Sequence, residues 1–317
     1  MHILRTVFVM LLMLALGASG LALTVFDLDA GRIQADTEYL CNVIGIRETG
    51  TPAEKETADW IEKQLSDMGY DTGKGDLFRW TFHGMKEKTS ENLGVILNAD
   101  DSHALVTIVA HYDTVPTSCG ARDNSTSVAI LLEMARYFSE NGVFPGCEVR
   151  LVFLGSEENG YHGARAYVKS LSEADRLRHI AAFNMDISVA APSENTQLVM
   201  NILGGKDASG KCVDADYLPA LENTVTRYIQ SAHKALYGGE PVPVFYHGES
   251  DHVPFHDAGL EAANICQRSV SEGRPLLPES YHTMDDTTDG LDYSTAVVTG
   301  RCILNAISLI ADEAVDQ

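Results

Sequence analysis

The feature that most constrains the fold is a series of short apolar runs separated by stretches of helical periodicity. The runs Ala104–Ala110, Val149–Leu154 and Ala181–Met185 each contain at most one polar side chain. Such runs predict strands that are buried on both faces. Strands that alternate with helices predict a sheet covered on both sides. We therefore predict an α/β fold, a mostly parallel mixed β-sheet flanked by helices on both faces.

Other elements follow from capping signals and periodicity. Thr51 and Pro52 occupy the cap and the first position of a predicted helix, which should end before Gly69. The sequence shows no repeat, low-complexity tract or Pro/Gly-rich linker, so one domain from about residue 30 to 315 is expected. The predicted helices are Gln34–Ile44, Pro52–Met68, Ser127–Ser139, Gly163–Ser170, about Tyr217–Leu236 and Tyr293–Ala311, and the remaining predicted strands are Leu77–Phe82, Asn92–Leu97, Gln197–Leu203 and Ala262–Ile265.

Residues 1–22 are predicted to be a signal peptide or an N-terminal anchor. Val7–Leu16 is apolar and is followed by the small residues Gly17, Ala18 and Ser19, the pattern of a secretory signal. The uncharged stretch Val7–Phe26 is also long enough to span a bilayer. In either case the body of the chain is expected to be secreted or extracytoplasmic, with a possible membrane tether through residues 7–26.

The net charge argues against one class of partner, and the cysteine pattern argues against one class of metal site. The formal net charge of −22 argues against a nucleic-acid partner, whose phosphates would be repelled. Six cysteines in an exported chain permit disulfides, but their spacing selects no pairing. The sequence contains no Cys-x-x-Cys pair, which argues against a cysteine zinc site.

Side chains that commonly bind metals follow several of the predicted strands. In open α/β sheets, ligands collect at the carboxyl ends of the strands. Two imidazoles and three carboxylates, with Glu157 as a spare glutamate, are the inventory of a two-zinc hydrolase. The five candidate ligands are His111 in VAHYDTV, Asp123 in ARDNSTS, Glu158 in FLGSEENG, Asp186 in FNMDIS and His282 in YHTMDDT.

Each of these signals is weak when taken alone. A single histidine at a strand end is more often a polar terminus, Asp123 could cap the following helix, and Glu157–Glu158 could form a solvated turn. Taken together they fit one site. Asp113 lies two residues after His111 and could orient its imidazole, while adjacent glutamates could divide metal binding from general-base catalysis.

The set His-x-Asp, Asp-Asn, Glu-Glu, Asn-Met-Asp and Tyr-His-Thr-x-x-Asp-Thr resembles the M28 zinc peptidases, the aminopeptidase Y and bacterial leucyl aminopeptidase group. Residues 44–70 resemble the family's opening helices, and residues 249–265 resemble its Ser-Asp-His segment. The resemblance implies a zinc exopeptidase fold of the phosphorylase/hydrolase type over residues 30–315.

The resemblance also implies roles for individual residues. Two Zn²⁺ ions per chain are expected. Asp123 would bridge them, with His111 and Asp186 completing one site and Glu158 and His282 the other. The expected catalytic residues are Glu157 as general base, Tyr281 as a hydroxyl donor to the oxyanion, and Asp113, which with Asp286 would orient the two histidines.

The implied function is that of an exported dinuclear zinc metallo-exopeptidase, an aminopeptidase that removes N-terminal residues from a peptide substrate. Three alternatives stay open. A carboxypeptidase would need a basic pocket, for which Arg268 and Arg274 are candidates. A glutaminyl-cyclase-like enzyme would use one zinc ion, and a receptor-like relative would be non-catalytic. The sequon at Asn124 lies against the expected metal centre and is expected to be unglycosylated.

Overall fold

A computed structural model describes residues 26–84, 86, 88–99, 102–191, 194–204, 220 and 222–315. The predicted signal peptide or anchor at residues 1–22 and the beginning of the helix predicted from Tyr217 lie outside the described residues.

The described helices largely follow the predicted ones. Thr51 caps the second helix by accepting a hydrogen bond from the Glu54 N–H, and Pro52 is its first residue, as predicted. The first helix begins earlier than predicted, because the Asp29 side chain caps it, and it continues through Tyr39–Ile44 as a wider π-helical turn. The helices are α1 Ala30–Glu38, α2 Pro52–Asp67, α3 Thr126–Asn141, α4 His162–Ser170, α5 Glu173–Arg178, α6 Thr224–Tyr237, α7 His252–Asp257 and α8 Tyr293–Val315.

The strands are β1 Leu77–His83, β2 Thr89–Leu97, β3 Ser102–His111, β4 Gly146–Leu154, β5 His179–Met185, β6 Thr196–Ile202, β7 Val244–Tyr246, β8 Ala262–Ser271 and β9 Arg274–Leu276. They form one mixed sheet in the order β1-β2-β4-β3-β5-β8-β6-β7, with β9 paired to β8. The central strands β4, β3, β5 and β8 are parallel, whereas β1, β2, β6 and β9 join their inner neighbours in antiparallel fashion. The predicted α/β class is confirmed.

Both faces of the sheet are covered, as the apolar runs predict. Side chains of a strand alternate between its two faces, so neighbours in the sequence enter different cores. Ile108 belongs to the core on one face, which includes buried side chains of α1, α3, α6 and α8. Val109 packs on the other face, with Tyr167 of α4 and Phe255 of α7. The centre of the sheet is therefore packed on both faces, and it fixes the positions of the strand ends.

One described helix, α8, is long and apolar enough to cross a membrane. However, 67% of its apolar window is buried inside the protein. It packs on α1, α3 and α6 and against the central strands. These contacts are those of a core helix.

Several short elements were not predicted. Strand β8 continues to Ser271, beyond the predicted end at Ile265, because β6 and β9 supply antiparallel partners for the extension. Strands β7 and β9 contain three residues each, and α5 and α7 contain six each. Elements of this length are too short to show a periodic pattern, so tertiary contacts determine them.

Candidate metal centre

The parallel register brings three strand ends to one edge of the sheet. His111, the last residue of β3, lies opposite Leu154, the last residue of β4. Val109 of β3 lies opposite Asn184 of β5. The segments that follow β4 and β5 carry Glu157, Glu158 and Asp186, so these carboxylates emerge beside the His111 imidazole.

The first group of candidate ligands contains His111, Asp123 and Asp186. The Nε2 atom of His111 lies 3.3 Å from Oδ1 of Asp123 and 3.8 Å from Oδ1 of Asp186. All three residues are buried. Asp123 arrives from the turn at Ala121–Ser125, which leads into α3 and contains a cis peptide bond between Asp123 and Asn124.

The second group contains Asp123, Glu158 and His282. The Nε2 atom of His282 lies 3.3 Å from Oδ2 of Asp123 and 3.2 Å from Oε2 of Glu158. Asp123 therefore belongs to both groups and directs one carboxylate oxygen toward each histidine. The structure thus brings together all five side chains that the sequence singles out as ligands.

The donor set fits metal ions. Four buried atoms in these groups have no hydrogen-bond partner: Nε2 of both His111 and His282, Oδ1 of Asp186 and Oε1 of Glu158. Buried polar atoms without partners are costly, and each one in a native protein needs an explanation. Imidazole nitrogens and carboxylate oxygens are the ligands that zinc prefers outside cysteine sites. Two cations that share Asp123 would satisfy these atoms.

The electrostatics agree with this interpretation. Burial alone would raise the pKa of Asp123, but the neighbouring imidazoles of His111 and His282 outweigh burial and hold that pKa well below its usual range. Burial and the Asp123 charge raise the pKa of Glu158 to about 7. Burial opposes the charged form of His282, but Asp123 and Glu158 raise its pKa to about 10. Without a cation the site therefore binds protons, and a metal ion would displace them.

Glu157 is adjacent to the ligands without belonging to either group. Its side chain is only 7% exposed. Burial raises its pKa well above the usual range, and the charges of Asp251 and Glu158 add to this effect against the opposing influence of His111. A buried carboxyl group with a raised pKa is suited to accept and return a proton near neutral pH.

Asp113 supports both sides of the site. Its carboxylate accepts hydrogen bonds from the N–H groups of Glu157, at 2.9 Å, and Glu158, at 3.2 Å. The same carboxylate lies 3.6 Å from Nδ1 of His111, and that nitrogen also lies 3.2 Å from the Asp113 carbonyl oxygen. The hydroxyl of Thr49 donates to Oδ2. Asp113 thus fixes the glutamate turn as well as lying beside the imidazole.

Asp286 and Tyr281 belong to the same loop as His282. Among the described residues, the Asp286 carboxylate accepts hydrogen bonds from the N–H groups of Arg122 and Asp123 and from the Ser118 hydroxyl rather than from His282. It therefore holds the Asp123 turn. The ring of Tyr281 stacks on that of His282, with centroids 3.7 Å apart. Burial and the surrounding carboxylates raise the pKa of Tyr281 well above its usual range, so its hydroxyl stays protonated.

Two orienting side chains were missed as functional residues. Ser250 donates a hydrogen bond of 2.8 Å to Oδ2 of Asp186 and accepts one of 2.7 Å from Asn184, which leaves Oδ1 of Asp186 directed at His111. Ser250 belongs to the Ser-Asp-His phrase, which is the signal that could have identified it. The Asn124 amide donates to the Met185 carbonyl at 2.8 Å, which joins the Asp123 turn to the end of β5. Asn124 is fully buried, so the folded chain does not present its sequon.

The remaining candidates are placed as follows. Cys119 forms a disulfide with Cys41. Of the other cysteines that the structure describes, Cys147, Cys266 and Cys302 are reduced and buried. Arg274 is exposed on β9, whereas Arg268 is buried in β8. Burial, together with the charges of His252 and Arg268, lowers the pKa of His247 to about 4, so Arg268 lies within the electrostatic reach of that residue.

Known proteins resemble this chain in sequence. A sequence profile described as peptidase family M28 matches residues 92–307. The chain is 30% identical to aminopeptidase YwaD of Bacillus subtilis over 224 residues, which cover 69% of this chain and 44% of that protein. The chain spans about half the length of the curated relatives that it matches.

Solved structures share the fold. BSAP, a zinc aminopeptidase from Bacillus subtilis, matches with a TM-score of 0.76 and 19% identity, over 90% of this chain and 96% of that one. A glutaminyl cyclase from Bacteroides thetaiotaomicron matches with a TM-score of 0.69 and 16% identity, over 90% and 99%. The profile covers more than half of the chain, and the fold agrees with that of known zinc aminopeptidases. The chain therefore belongs to peptidase family M28, as the resemblance implied.

Proposed function

We propose that the protein is an exported dinuclear zinc metallo-exopeptidase, an aminopeptidase that hydrolyses N-terminal residues from peptides. The observation that carries the proposal is the position of Asp123, whose two carboxylate oxygens each lie 3.3 Å from a different histidine. One shared carboxylate between two sets of ligands is the arrangement that a two-metal centre requires. His111 and Asp186 would complete one site, and Glu158 and His282 the other.

Bound zinc would supply Lewis acidity, which polarises a peptide carbonyl and makes water more acidic. The protein's own groups would carry the proton. Glu157 would accept it from the attacking water and deliver it to the leaving amine, a transfer that its raised pKa favours. The protonated hydroxyl of Tyr281 would donate a hydrogen bond to the developing oxyanion. The surrounding carboxylates would attract the positively charged amine of the substrate.

Two features support export. The uncharged segment 7–26 has the composition of a secretory signal or an anchor. The disulfide between Cys41 and Cys119 is typical of an oxidising compartment.

A carboxypeptidase is the second candidate, and buried Arg268 is the observation that favours it. A buried guanidinium near the site could bind the carboxylate of a substrate C-terminus. In this case the substrate would need a free carboxylate instead of a free amine.

The test is to incubate the purified protein with two matched dipeptide sets, one blocked at the amine and one at the carboxylate, and to measure bound metal in the same sample. We expect about two zinc ions per chain and cleavage only of peptides with a free amine. Cleavage that requires a free carboxylate would instead establish the carboxypeptidase. Cyclisation of N-terminal glutamine without cleavage would identify a glutaminyl-cyclase-like enzyme, and a protein that binds no metal would contradict the proposal altogether.

A further inference from the structure

Arg47 is a fully buried arginine beneath the metal centre. It lies in the segment between the π-helical turn and α2. Its guanidinium donates five hydrogen bonds to neutral acceptors: from Nε to the Tyr112 carbonyl at 2.8 Å, from Nη1 to the carbonyls of Leu40 at 3.1 Å, Gly45 at 2.7 Å and Cys119 at 2.9 Å, and from Nη2 to the Ser125 hydroxyl at 2.8 Å.

These contacts join two of the segments that carry metal ligands, the end of β3 and the Asp123 turn. Tyr112 stands between His111 and Asp113, so the Nε bond holds the end of β3. Cys119 precedes the turn that contains Asp123 and Ser125 is its last residue, so the Nη1 and Nη2 bonds hold that turn. The Arg47 backbone is also fixed to the segment after β3, because its N–H donates to the Thr114 hydroxyl at 2.9 Å and its carbonyl accepts from the Thr114 N–H at 3.3 Å.

The charge of Arg47 also matters. Burying a guanidinium without an ion-pair partner costs free energy, so such a group is usually stabilised by negative charges nearby. Burial lowers the pKa of Arg47 to about 10, and the charges of Asp113, Asp286 and Asp123 oppose that decrease. The positive charge is therefore balanced through space by carboxylates of the metal centre.

We propose that Arg47 is a positioning residue of the metal centre, which holds His111 and Asp123 at the separation that a shared metal ion needs. It acts through the backbone carbonyls of neighbouring residues and the Ser125 hydroxyl, and none of the five acceptors belongs to a ligand. The inference rests on the proposed metal centre, although it does not depend on which kind of peptide is cleaved. Lysine cannot replace arginine here, because one ammonium group cannot reach five acceptors arranged around a planar fork.

The test compares the zinc affinity of Arg47→Lys with that of the unaltered full chain, by titrating metal-free protein against a chromogenic chelator. Loss of an orienting group outside the ligand set weakens metal binding about 10- to 100-fold, so we expect a decrease of at least about ten-fold. Thermal unfolding is recorded on the same samples. Arg150→Lys is the matched control, because Arg150 is also largely buried and donates to Glu148 and Asp175, away from the ligands.

The Arg150→Lys variant should lose thermal stability and keep the zinc affinity of the unaltered chain. If Arg47→Lys also lost only stability, with zinc affinity within about two-fold of the unaltered chain, Arg47 would be a structural residue alone and the inference would be overturned. If Arg47→Lys does not fold, Ser125→Ala decides, because it removes only the Nη2 bond to the Asp123 turn. Unchanged zinc affinity in that variant would overturn the inference too.

These results are distinguishable from a failure of the proposed function. An unaltered chain that binds no zinc would contradict the metal centre itself. An unaltered chain that binds zinc as tightly as the Arg47→Lys variant would contradict only the role of Arg47.

Discussion

Replacing Cys41 and Cys119 together with alanine removes a cross-link between positions 78 residues apart. In the chain-entropy description, closing a loop of this length in the unfolded state accounts for about 4.5 kcal/mol at 25 °C. The free energy of unfolding of the double variant should fall by about that amount. The two sulfur atoms connect the π-helical turn to the segment before Asp123. The double variant can still form the native contacts of both segments, so the expected loss is that of the cross-link alone.

The same value can be converted to a melting temperature. Unfolding entropy is about 2.1 cal/mol/K per residue, which gives roughly 0.6 kcal/mol/K for the predicted domain, residues 30–315. A loss of about 4.5 kcal/mol therefore corresponds to a decrease in Tm of about 7 °C.

Scanning calorimetry of the double variant and the unaltered chain, each at the same protein and zinc concentration, measures this decrease. Cys302→Ala is the matched control, because Cys302 is buried and reduced. Adding a reductant should lower the Tm of Cys302→Ala as much as that of the unaltered chain, because both contain the disulfide. The Tm of the double variant should not change when the reductant is added. A double variant that melts within about 2 °C of the unaltered chain would refute the entropic argument.

Two further predictions concern the site, and a third concerns a buried histidine at the start of β5. Glu157→Gln should bind zinc normally and lose about 10²- to 10⁴-fold in kcat, the usual contribution of a general base, and retention of more than about a tenth of the rate would exclude that role. Ser250→Ala should weaken zinc binding at the site that contains Asp186 by about ten-fold, with recovery in Ser250→Thr; a chelator titration that finds equal affinities would show that Asp186 needs no orienting hydroxyl. Burial and the Arg150 charge lower the pKa of His179 to about 4, below the unfolded value of about 6.5, so its contribution to stability is complete above that pH and is lost as the pH falls toward 4. His179→Gln should therefore flatten the decrease in Tm between pH 7 and pH 4.5, and parallel curves for the two proteins would contradict this assignment.

The centre of the fold was predictable because it depends on the least ambiguous signal in the sequence. Ile108 and Val109 face different cores, so the strand that contains them must be apolar on both sides. This requirement produces the continuous run Ala104–Ala110. The edges of the sheet carry no comparable requirement. In β2, Gly94 is needed because a Cβ there would lie 2.0 Å from the Leu151 carbonyl oxygen of β4, a constraint that only the paired strands reveal.

The metal ligands of the site were predictable from the sequence, whereas the residues that orient them were not. Candidate ligands are readable because histidine and paired carboxylates directly after apolar strands are chemically specific, and the parallel register then brings His111, Glu158 and Asp186 to one edge. The groups that orient them carry no such mark. Ser250 and Asn124 are ordinary polar residues whose importance is visible only in what they touch.

Arg47 shows why residues that orient the ligands cannot be identified from the sequence. An arginine in a polar segment such as IGIRETG is normally assigned to the surface, because burying a guanidinium is costly. Here five neutral acceptors from three segments satisfy its donors, and the carboxylates of the metal centre balance its charge from a distance. Both forms of compensation come from residues distant in sequence, and they exist only once β3, the Asp123 turn and the π-helical turn have packed together. Removing the charge of one of these carboxylates should therefore make Arg47 more costly to bury. The neutral Asp113→Asn variant should unfold at a lower Tm than the unaltered chain when both proteins are free of metal.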